Sequence, residues 1–278
     1  MSVQPLTFHG QPALQLTLPD GDSAIATLHG GQLLSWKVAG AEQLYLSPQA
    51  RFDGHGAIRG GVPLCFPQFN QRGPLPKHGF ARNLPWQAVE AGDSALALHL
   101  AASPATRAFW PAHFAACLRV ELAPGQLRVA LSVRNTGDAP WTFTAALHTY
   151  LRVHDATQAR LEGLQGAPRW DAVRDTRFTE PDAALRFGEE FDSVYAAPPR
   201  ALHLHDGPRR LRIEQSPACP QTVVWNPGPQ LCAQLPDLPP DGWRHMLCVE
   251  AATIDAPVPL APGASWEGWQ RLTLKRHP

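Results

Sequence analysis

The amino-acid sequence predicts an all-β protein built as a large antiparallel β-sandwich. Two features support this fold class: short segments in which apolar and polar residues alternate, and the turn signals rich in Gly and Pro that separate them. A third feature is that the pattern contains no amphipathic helix of about ten residues or more. We expect one domain over residues 1–278, because neither a low-complexity linker nor a repeat of fixed period divides the chain.

Three β-hairpins are predicted where alternating segments flank a tight turn. The first turns at Asp20-Gly21, the second at Pro124-Gly125 and the third at Asp206-Gly207. Gly supports such turns because it adopts positive φ without steric penalty. Further strands are expected at the residue ranges 222–225, 246–250 and 272–274.

The composition excludes several classes of protein. Lys and Arg together number 24 and are balanced by 24 Asp and Glu, so the chain lacks the basic footprint of a nucleic-acid-binding or membrane-surface protein. No apolar run approaches the ~18 residues of a membrane span, and the first residues do not read as a secretory leader. The five cysteines are scattered without a C-x-x-C pair, which argues against a disulfide framework and against a zinc site. We expect a cytoplasmic protein.

Two loops rich in Gly and Pro carry basic side chains. Arg59 lies in the first loop, over residues 58–67, and Lys77, His78 and Arg82 lie in the second, over residues 76–82. Glycine lets the backbone approach a ligand closely, and proline holds the shape of a loop. Guanidinium groups match phosphate oxygens bidentately, so three cations held here suit a phosphate group. On charge alone, a turn-rich surface with solvated Arg side chains is the favoured explanation.

The segment 143–152 alternates with a period of two and carries a histidine. Phe143, Ala145 and Leu147 fall on one face, which is mostly apolar, and His148 and Tyr150 fall on the other. Histidine and tyrosine among small residues are typical of the polar floor of a cavity. A half-exposed histidine on a sheet is the alternative.

One carboxylate interrupts the apolar run 246–252. Burying the side chain of Glu250 unpaired is costly, so we expect either a charged partner or a shifted pKa. A structural ion pair and a catalytic role both satisfy this requirement. Two weaker candidates are the acidic segment 189–195, which contains Asp192, and the pair His203 and His205, for which the sequence offers no third metal ligand.

Taken in order, these segments resemble the hexose-6-phosphate mutarotases (glucose-6-phosphate 1-epimerases) of the galactose mutarotase-like superfamily. Six motifs carry the resemblance: R-G-G-[IV]-P-x-x-F-P at 59–67, H-G-[FL]-A-R at 78–82, L-H-T-Y at 147–150, [FV]-D-x-V-Y at 191–195, V-W-N-P at 224–227 and C-[VI]-E at 248–250. They span most of the chain, and six ordered motifs are far more specific than any one of them.

The resemblance implies a galactose mutarotase-like β-sandwich whose concave face binds a sugar phosphate, in a monomer or weak oligomer. His148 would be the general acid, Glu250 the general base and Asp192 a ligand of the sugar hydroxyls. The phosphate would be held by Arg59 and Arg82 with the residue before His78. That residue is Lys77, where relatives often have Gln, and a lysine contacts phosphate as a point charge. His78 itself is expected among the substrate-binding residues.

Exchange of anomers requires removal of a proton from the C1 hydroxyl and delivery of a proton to the ring oxygen. One carboxylate and one imidazole on opposite sides of the sugar suffice, so no metal or redox cofactor is expected. Unperturbed pKa values of about 4.3 and 6.5 predict an ionised Glu250 as base and a protonated His148, stabilised by nearby carboxylates, as acid.

Two other functions remain compatible with the sequence. A carbohydrate-binding or sugar-sensing sandwich would keep Arg59, Arg82 and Asp192 without needing an acid–base pair. A glycoside hydrolase would use two carboxylates, Asp192 and Glu250, on either side of the scissile bond. A histidine at the sugar with Glu250 favours the epimerase, whereas a second carboxylate there favours hydrolysis.

Overall fold

The computed structural model describes residues 2–89 and 95–275. Within them the chain forms strands joined by short turns. In chain order the strands are β1 (Ser2–Phe8), β2 (Gln11–Thr17), β3 (Ser23–Thr27), β4 (Gln32–Val38), β5 (Ala41–Glu42), β6 (Leu64–Cys65), β7 (Gln87–Val89), β8 (Ala95–Ala101), β9 (Phe114–Ala123), β10 (Gln126–Asn135) and β11 (Trp141–Leu147). They continue with β12 (Tyr150–Arg152), β13 (Arg160–Glu162), β14 (Pro168–Asp171), β15 (Thr176–Thr179), β16 (Ala184–Leu185), β17 (Phe191–Ala196), β18 (Leu202–Asp206), β19 (Arg209–Gln215), β20 (Gln221–Asn226), β21 (Met246–Leu260) and β22 (Ser265–Leu274).

Helical structure is short. In the described part of the chain it consists of α1 (Pro104–Phe109), α2 (Gly228–Cys232) and two 3₁₀ turns, Ala81–Asn83 and Gly242–His245. No helix among the described residues is long and apolar enough to cross a membrane.

The strands form three antiparallel sheets. A five-stranded sheet has the order β1-β2-β3-β4-β5, and a nine-stranded sheet has the order β16-β13-β18-β19-β22-β10-β9-β8-β7. An eight-stranded sheet has the order β15-β14-β17-β20-β21-β11-β6, and β12 pairs with β21 at its side. All-β structure in large antiparallel sheets is therefore confirmed.

The three predicted hairpins are also confirmed. Asp20-Gly21 joins β2 to β3, and Pro124-Gly125 joins β9 to β10. Asp206 ends β18, and Gly207 begins the turn to β19. The expected strands at 222–225, 246–250 and 272–274 lie inside β20, β21 and β22.

The nine- and eight-stranded sheets pack face to face through one apolar core. Alternate residues of β9 and β10, among them Leu118 and Val129, meet Phe143, Leu147 and Val249 from the eight-stranded sheet. Burial of apolar side chains at about 25 cal/mol per Å² is the dominant stabilising term for such a core. The five-stranded sheet contributes residues such as Leu33 and Trp36 to the same cluster, so the three sheets share one core.

The opposite face of the eight-stranded sheet carries the polar residues. Because side chains alternate along a strand, His148 and Tyr150 on the segment containing β11 and β12 point away from the core that holds Leu147 and Leu151. They point into a cavity of about 390 Å³. The face predicted from the alternation is therefore the floor of a cavity.

Candidate active site

Pairing between strands places His148 and Glu250 side by side. Leu147 pairs with Ala251 and Tyr150 with Cys248, so the register sets His148 directly opposite Glu250. Directly opposite residues on neighbouring antiparallel strands share a face and lie close together. The His148 Nδ1 and Glu250 Oε1 atoms are 3.4 Å apart, without the alignment of a hydrogen bond. Both side chains therefore lie on one face of the sheet, and the gap between those two atoms is too small for a sugar ring.

The backbone beneath the pair is tied across the sandwich. His148 and Thr149 interrupt the strand between β11 and β12, and the Thr149 hydroxyl donates to Gln270 Oε1 at 2.7 Å. The Gln270 amide in turn donates to the carbonyl of Val249 at 2.9 Å. Gln270 is buried on β22 of the nine-stranded sheet. Polar bonds through the core therefore fix the residues next to both His148 and Glu250.

Aromatic rings hold the imidazole of His148. The Tyr150 ring is stacked on it at a centroid distance of 4.9 Å and an interplanar angle of 11°. Trp225 meets it edge-on at 6.1 Å, and His78 does so at 5.6 Å. The ring of His148 is thus confined on several sides, and its side chain is 11% exposed.

Burial and neighbouring charges favour the neutral forms of both residues. Burial lowers the pKa of His148 well below its usual value, and His78, Arg82 and Arg59 lower that pKa further. Burial raises the pKa of Glu250 well above its usual value, the Asp192 carboxylate raises it further, and Arg82 opposes the shift. These pKa directions favour a neutral Glu250 and a neutral His148, unlike the expected starting state of an ionised Glu250 with a protonated His148. The fold places the cations of Arg82 and Arg59 near His148 in addition to one of the expected carboxyl groups, that of Glu250.

Glycines bring the first basic loop to this floor. Gly60 has a φ of 125°, and a Cβ there would lie 2.4 Å from the carbonyl oxygen of Tyr45. The carbonyl of Gly61 accepts from the backbone N–H of Tyr150 at 2.8 Å. The R-G-G segment can thus pack directly against the strand that carries Tyr150, which places Arg59 beside the cavity.

Arg59 already has partners in the protein. Its Nε and one terminal nitrogen bind the Asp237 carboxylate, each at 3.1 Å, and its other terminal nitrogen donates to the Tyr150 hydroxyl at 3.0 Å. Arg59 therefore reaches a ligand only with the N–H groups left on its two terminal nitrogens.

Lys77 and Arg82 differ from Arg59 in this respect. Neither forms an ion pair with a carboxylate in the part of the chain that the structure describes. One terminal nitrogen of Arg82 donates to the Lys77 carbonyl at 3.0 Å, and the buried Nε–H of Arg82 has no acceptor within the described residues. A buried donor without an acceptor is unfavourable, so this guanidinium is suited to an anionic ligand.

Asp192 approaches from the other side of the floor. It lies on β17 opposite Trp225 of β20, and Trp225 in turn lies opposite Cys248 of β21. Burial and the nearby Glu190 raise the pKa of Asp192 to about 6, while Lys77 opposes the shift.

We expect Asp192→Asn to stabilise the protein more at pH 7 than at pH 4.5. The pKa of Asp192 is higher in the folded than in the unfolded protein, so the folded state binds its proton more tightly between the two values. The parent therefore loses stability from this group as the pH rises towards 7, and the Asn variant does not. Thermal unfolding of both proteins at several pH values measures the effect. A Tm difference that does not depend on pH would contradict the raised pKa.

All seven residues predicted from the sequence line this one cavity: Arg59, Lys77, His78, Arg82, His148, Asp192 and Glu250. Their individual roles stay predictions. The sequence reasoning missed Phe69, Asn70, Arg72 and Trp170, which also line the cavity. Arg72 lies over the Trp170 ring, 4.7 Å from its centroid, and pairs with Asp255 at 3.1 Å. Only the closeness of Arg72 to the second basic loop hinted at this position.

Two other features do not join the site. His205 Nε2 lies 3.1 Å from Glu162 Oε2 and His203 is exposed, and no group of three possible metal ligands converges within residues 2–89 and 95–275. A cavity of about 420 Å³ near Pro198 and Trp269 is lined by none of the seven residues.

Comparison with known proteins identifies the family. The family model described as aldose 1-epimerase matches residues 12–273. The chain belongs to the aldose 1-epimerase family. Proteins of this family are isomerases, so the enzyme class predicted from the sequence is confirmed.

Individual relatives agree with this aldose 1-epimerase assignment. A protein of Cenchrus ciliaris named "Putative glucose-6-phosphate 1-epimerase" is 36% identical over 90% of this chain and 80% of its own length. An Escherichia coli protein with the same name is 37% identical over 81% of this chain and 78% of its own. The crystal structure of a Salmonella typhimurium protein described as a "putative mutarotase" has a TM-score of 0.89 at 30% identity, covering 99% of this chain and 94% of the other. The galactose mutarotase-like fold is thereby confirmed.

Proposed function

We propose that this aldose 1-epimerase interconverts the α and β anomers of aldohexose 6-phosphates, with glucose 6-phosphate as its substrate. The observation that carries the proposal is an imidazole and a carboxylic acid side by side on a cavity floor, with unpaired cations in the adjacent wall. Acid–base ring opening needs the imidazole and the carboxylic acid, and binding of a phosphate group needs the cations. The names of the relatives from Cenchrus ciliaris and Escherichia coli support glucose 6-phosphate.

We propose that His148 and Glu250 hold one proton between them. In the resting pair that proton lies on Glu250, because burial raises the Glu250 pKa and lowers the His148 pKa. At 3.4 Å, reorientation of either side chain lets the proton pass to His148 and gives the imidazolium and carboxylate that the resemblance implies. Both distributions place one proton donor and one acceptor at the sugar.

The ring opens when one member of the pair gives its proton to the ring oxygen while the other removes the proton of the C1 hydroxyl. The C1–O5 bond breaks and its electron pair stays on O5, so the open aldehyde forms without net loss of a proton. After rotation about C1–C2, the two residues run the same steps in reverse on the other face of the carbonyl. Each positioned group contributes typically ~10²–10⁴ to the rate.

Asp192 and the wall residues orient the sugar in this proposal. Asp192 accepts hydrogen bonds from hydroxyl groups, and the Arg82 and Lys77 cations bind the phosphate at the opposite end of the hexose. Arg59 contributes the free N–H groups of its terminal nitrogens. Because these contacts are remote from C1, they select the substrate and leave the chemistry to His148 and Glu250.

The proposal is tested by following anomer exchange directly. Freshly dissolved α-glucose 6-phosphate is mixed with the enzyme, and polarimetry or a coupled dehydrogenase specific for the β anomer records the approach to equilibrium above the spontaneous rate. We expect clear acceleration, with glucose 6-phosphate preferred over free glucose. Binding of glucose 6-phosphate without acceleration would instead support the carbohydrate-binding alternative.

We expect kcat to stay level as the pH rises from 7. The one-proton state persists from the lowered pKa of His148 up to the raised pKa of Glu250. With unperturbed values, that state would be lost above about pH 6.5 and the rate would fall. Saturating glucose 6-phosphate is used above pH 7, where its phosphate, with a second pKa near 6, is already ionised. A steady decline from pH 7 would contradict the assigned protonation.

We also propose a single domain over the chain, supported by the core that the three sheets share. A cytoplasmic location, a monomer or weak oligomer, and independence from metals and cofactors stay predictions. Independence from metals is checked by assaying the enzyme after thorough chelation.

A further inference from the structure

The imidazole of His78 is held by contacts of its own loop. The residue has a φ of 65°, its backbone N–H donates to the Asn70 carbonyl at 3.0 Å, and it is 8% exposed. Gln68 fixes the same loop, since its side chain bonds the Asn70 carbonyl and both the carbonyl and the N–H of Leu75. The ring therefore has a defined orientation.

The backbone of Asn70 decides where the proton of His78 lies. The N–H of Asn70 is 3.2 Å from Nδ1 of His78 in hydrogen-bonding geometry. A backbone N–H can only donate, so Nδ1 must be the acceptor and cannot carry a proton. The neutral ring then carries its proton on Nε2, at the opposite edge.

Cys65 makes a second contact with the same atom. Its Sγ lies 3.1 Å from Nδ1 of His78, and burial raises the pKa of this thiol, which therefore keeps its proton. Since Nδ1 is unprotonated, the S–H is the donor in this contact. Cys65 lies on β6, which pairs with β11 just before His148, so the same strand pair supports both histidines.

We propose that Cys65 is a positioning residue: its thiol and the Asn70 amide together fix His78 as a neutral donor with its proton on Nε2, facing the sugar. This inference rests on the proposed function for its ligand, but the tautomer itself does not. A ring fixed in this way donates to a sugar oxygen beside His148 and takes no part in the proton exchange of the catalytic pair.

The groups around His78 keep it neutral. Burial lowers its pKa to about 3, and the cations of Arg82, Lys77 and Arg59 add to the shift. The other titratable groups against its ring are His148, at a centroid distance of 5.6 Å, and the Cys65 thiol.

Nitrogen NMR of ¹⁵N-labelled, ligand-free enzyme tests the tautomer without any assay of activity. We expect Nδ1 of His78 to show the shift of an unprotonated nitrogen and Nε2 that of a protonated one, unchanged from pH 6 to pH 8. Added glucose 6-phosphate should move the Nε2 resonance more than that of Nδ1. A proton on Nδ1, exchange between tautomers, or a titration within that range would overturn the proposal.

Two variants test the part played by Cys65. Cys65→Ala removes one donor, so kcat should fall by roughly two- to tenfold, the effect of one hydrogen bond. Cys65→Ser keeps a donor and should restore kcat to within about twofold of the parent.

Cys219→Ala is the matched control, because this buried thiol packs near Trp266 and Gly268 and not at the cavity. It should alter Tm without altering kcat or the His78 resonances. Equal losses of kcat in the Ala and Ser variants of Cys65 would show that Cys65 only fills space. If the His78 tautomer is fixed but the protein does not accelerate anomer exchange, the role of Cys65 would be upheld and the proposed function rejected.

Discussion

Glu250→Gln is expected to lower kcat for anomer exchange by roughly 10²-fold or more while the protein remains folded. The amide keeps the size and hydrogen-bonding capacity of the carboxylic acid but neither gives nor takes a proton under these conditions. The proposed mechanism needs that proton, because Glu250 and His148 share one between them. The spontaneous reaction is subtracted from initial rates measured on α-glucose 6-phosphate.

Stability measurements separate this role from a structural one. The Glu250 carboxyl is 1% exposed and its Oε2 has no hydrogen-bond partner among the described residues. Burial favours the uncharged acid, so the folded state binds this proton more tightly than the unfolded chain does. The contribution of Glu250 to the stability of the parent should therefore fall as the pH rises above about 4.5, so the Gln variant should gain stability relative to the parent over that range. A variant that melts early yet turns over normally at low temperature would mean that Glu250 is structural.

The losses of kcat in variants of His148 and Glu250 are also expected to be non-additive. His148→Asn should also lose roughly 10²-fold in kcat, and the double variant should lose far less than the product of the two single losses. Residues that act as a unit are not additive, because the second substitution removes a group that is already without function. Full additivity would indicate two independent contributions and would contradict a shared proton.

Much of the fold followed from local pattern. The period of two over 143–151 correctly assigned Phe143 and Leu147 to the core and His148 to the other face, because side chains alternate strictly along a strand. Glycines at the turns predicted the hairpins, because Gly125 and Gly207 adopt the positive φ that these turns require. These features depend on a few neighbouring residues, and a sequence displays them directly.

What the sequence did not show depends on register and on contacts between distant segments. The register of β11 and β12 against β21 makes His148 a neighbour of Glu250, and the sequence reasoning had placed them across the sugar from each other. Arg59 pairs with Asp237, 178 positions away, and nothing near Arg59 in the sequence suggests it. The pKa directions depended on the same contacts, since burial and the cations facing His148 come from packing.

Arg59 is paired with Asp237, whereas Arg82 has no carboxylate partner among the residues that the structure describes. This difference underlies the second large expected effect. Arg82→Ala is expected to raise KM for glucose 6-phosphate by roughly tenfold or more and to change kcat/KM for free glucose by less than about twofold. A charge-assisted hydrogen bond contributes about 1.5–3 kcal/mol, and Arg82 has no carboxylate partner within the described residues to replace the phosphate. Initial rates on both sugars over a range of concentrations provide the comparison.

Arg59 and Lys77 supply the internal controls. Arg59→Ala leaves the Asp237 carboxylate without its partner, so it should lower Tm as well as substrate affinity, and Asp237→Asn should restore part of that Tm. Lys77→Gln removes a point charge from an exposed side chain and should be milder than Arg82→Ala. Arg134→Ala, on the exposed surface of β10, should leave both substrates unaffected. Equal losses on glucose and glucose 6-phosphate in Arg82→Ala would show that this arginine only maintains the loop, and would remove the main support for phosphate recognition at this wall.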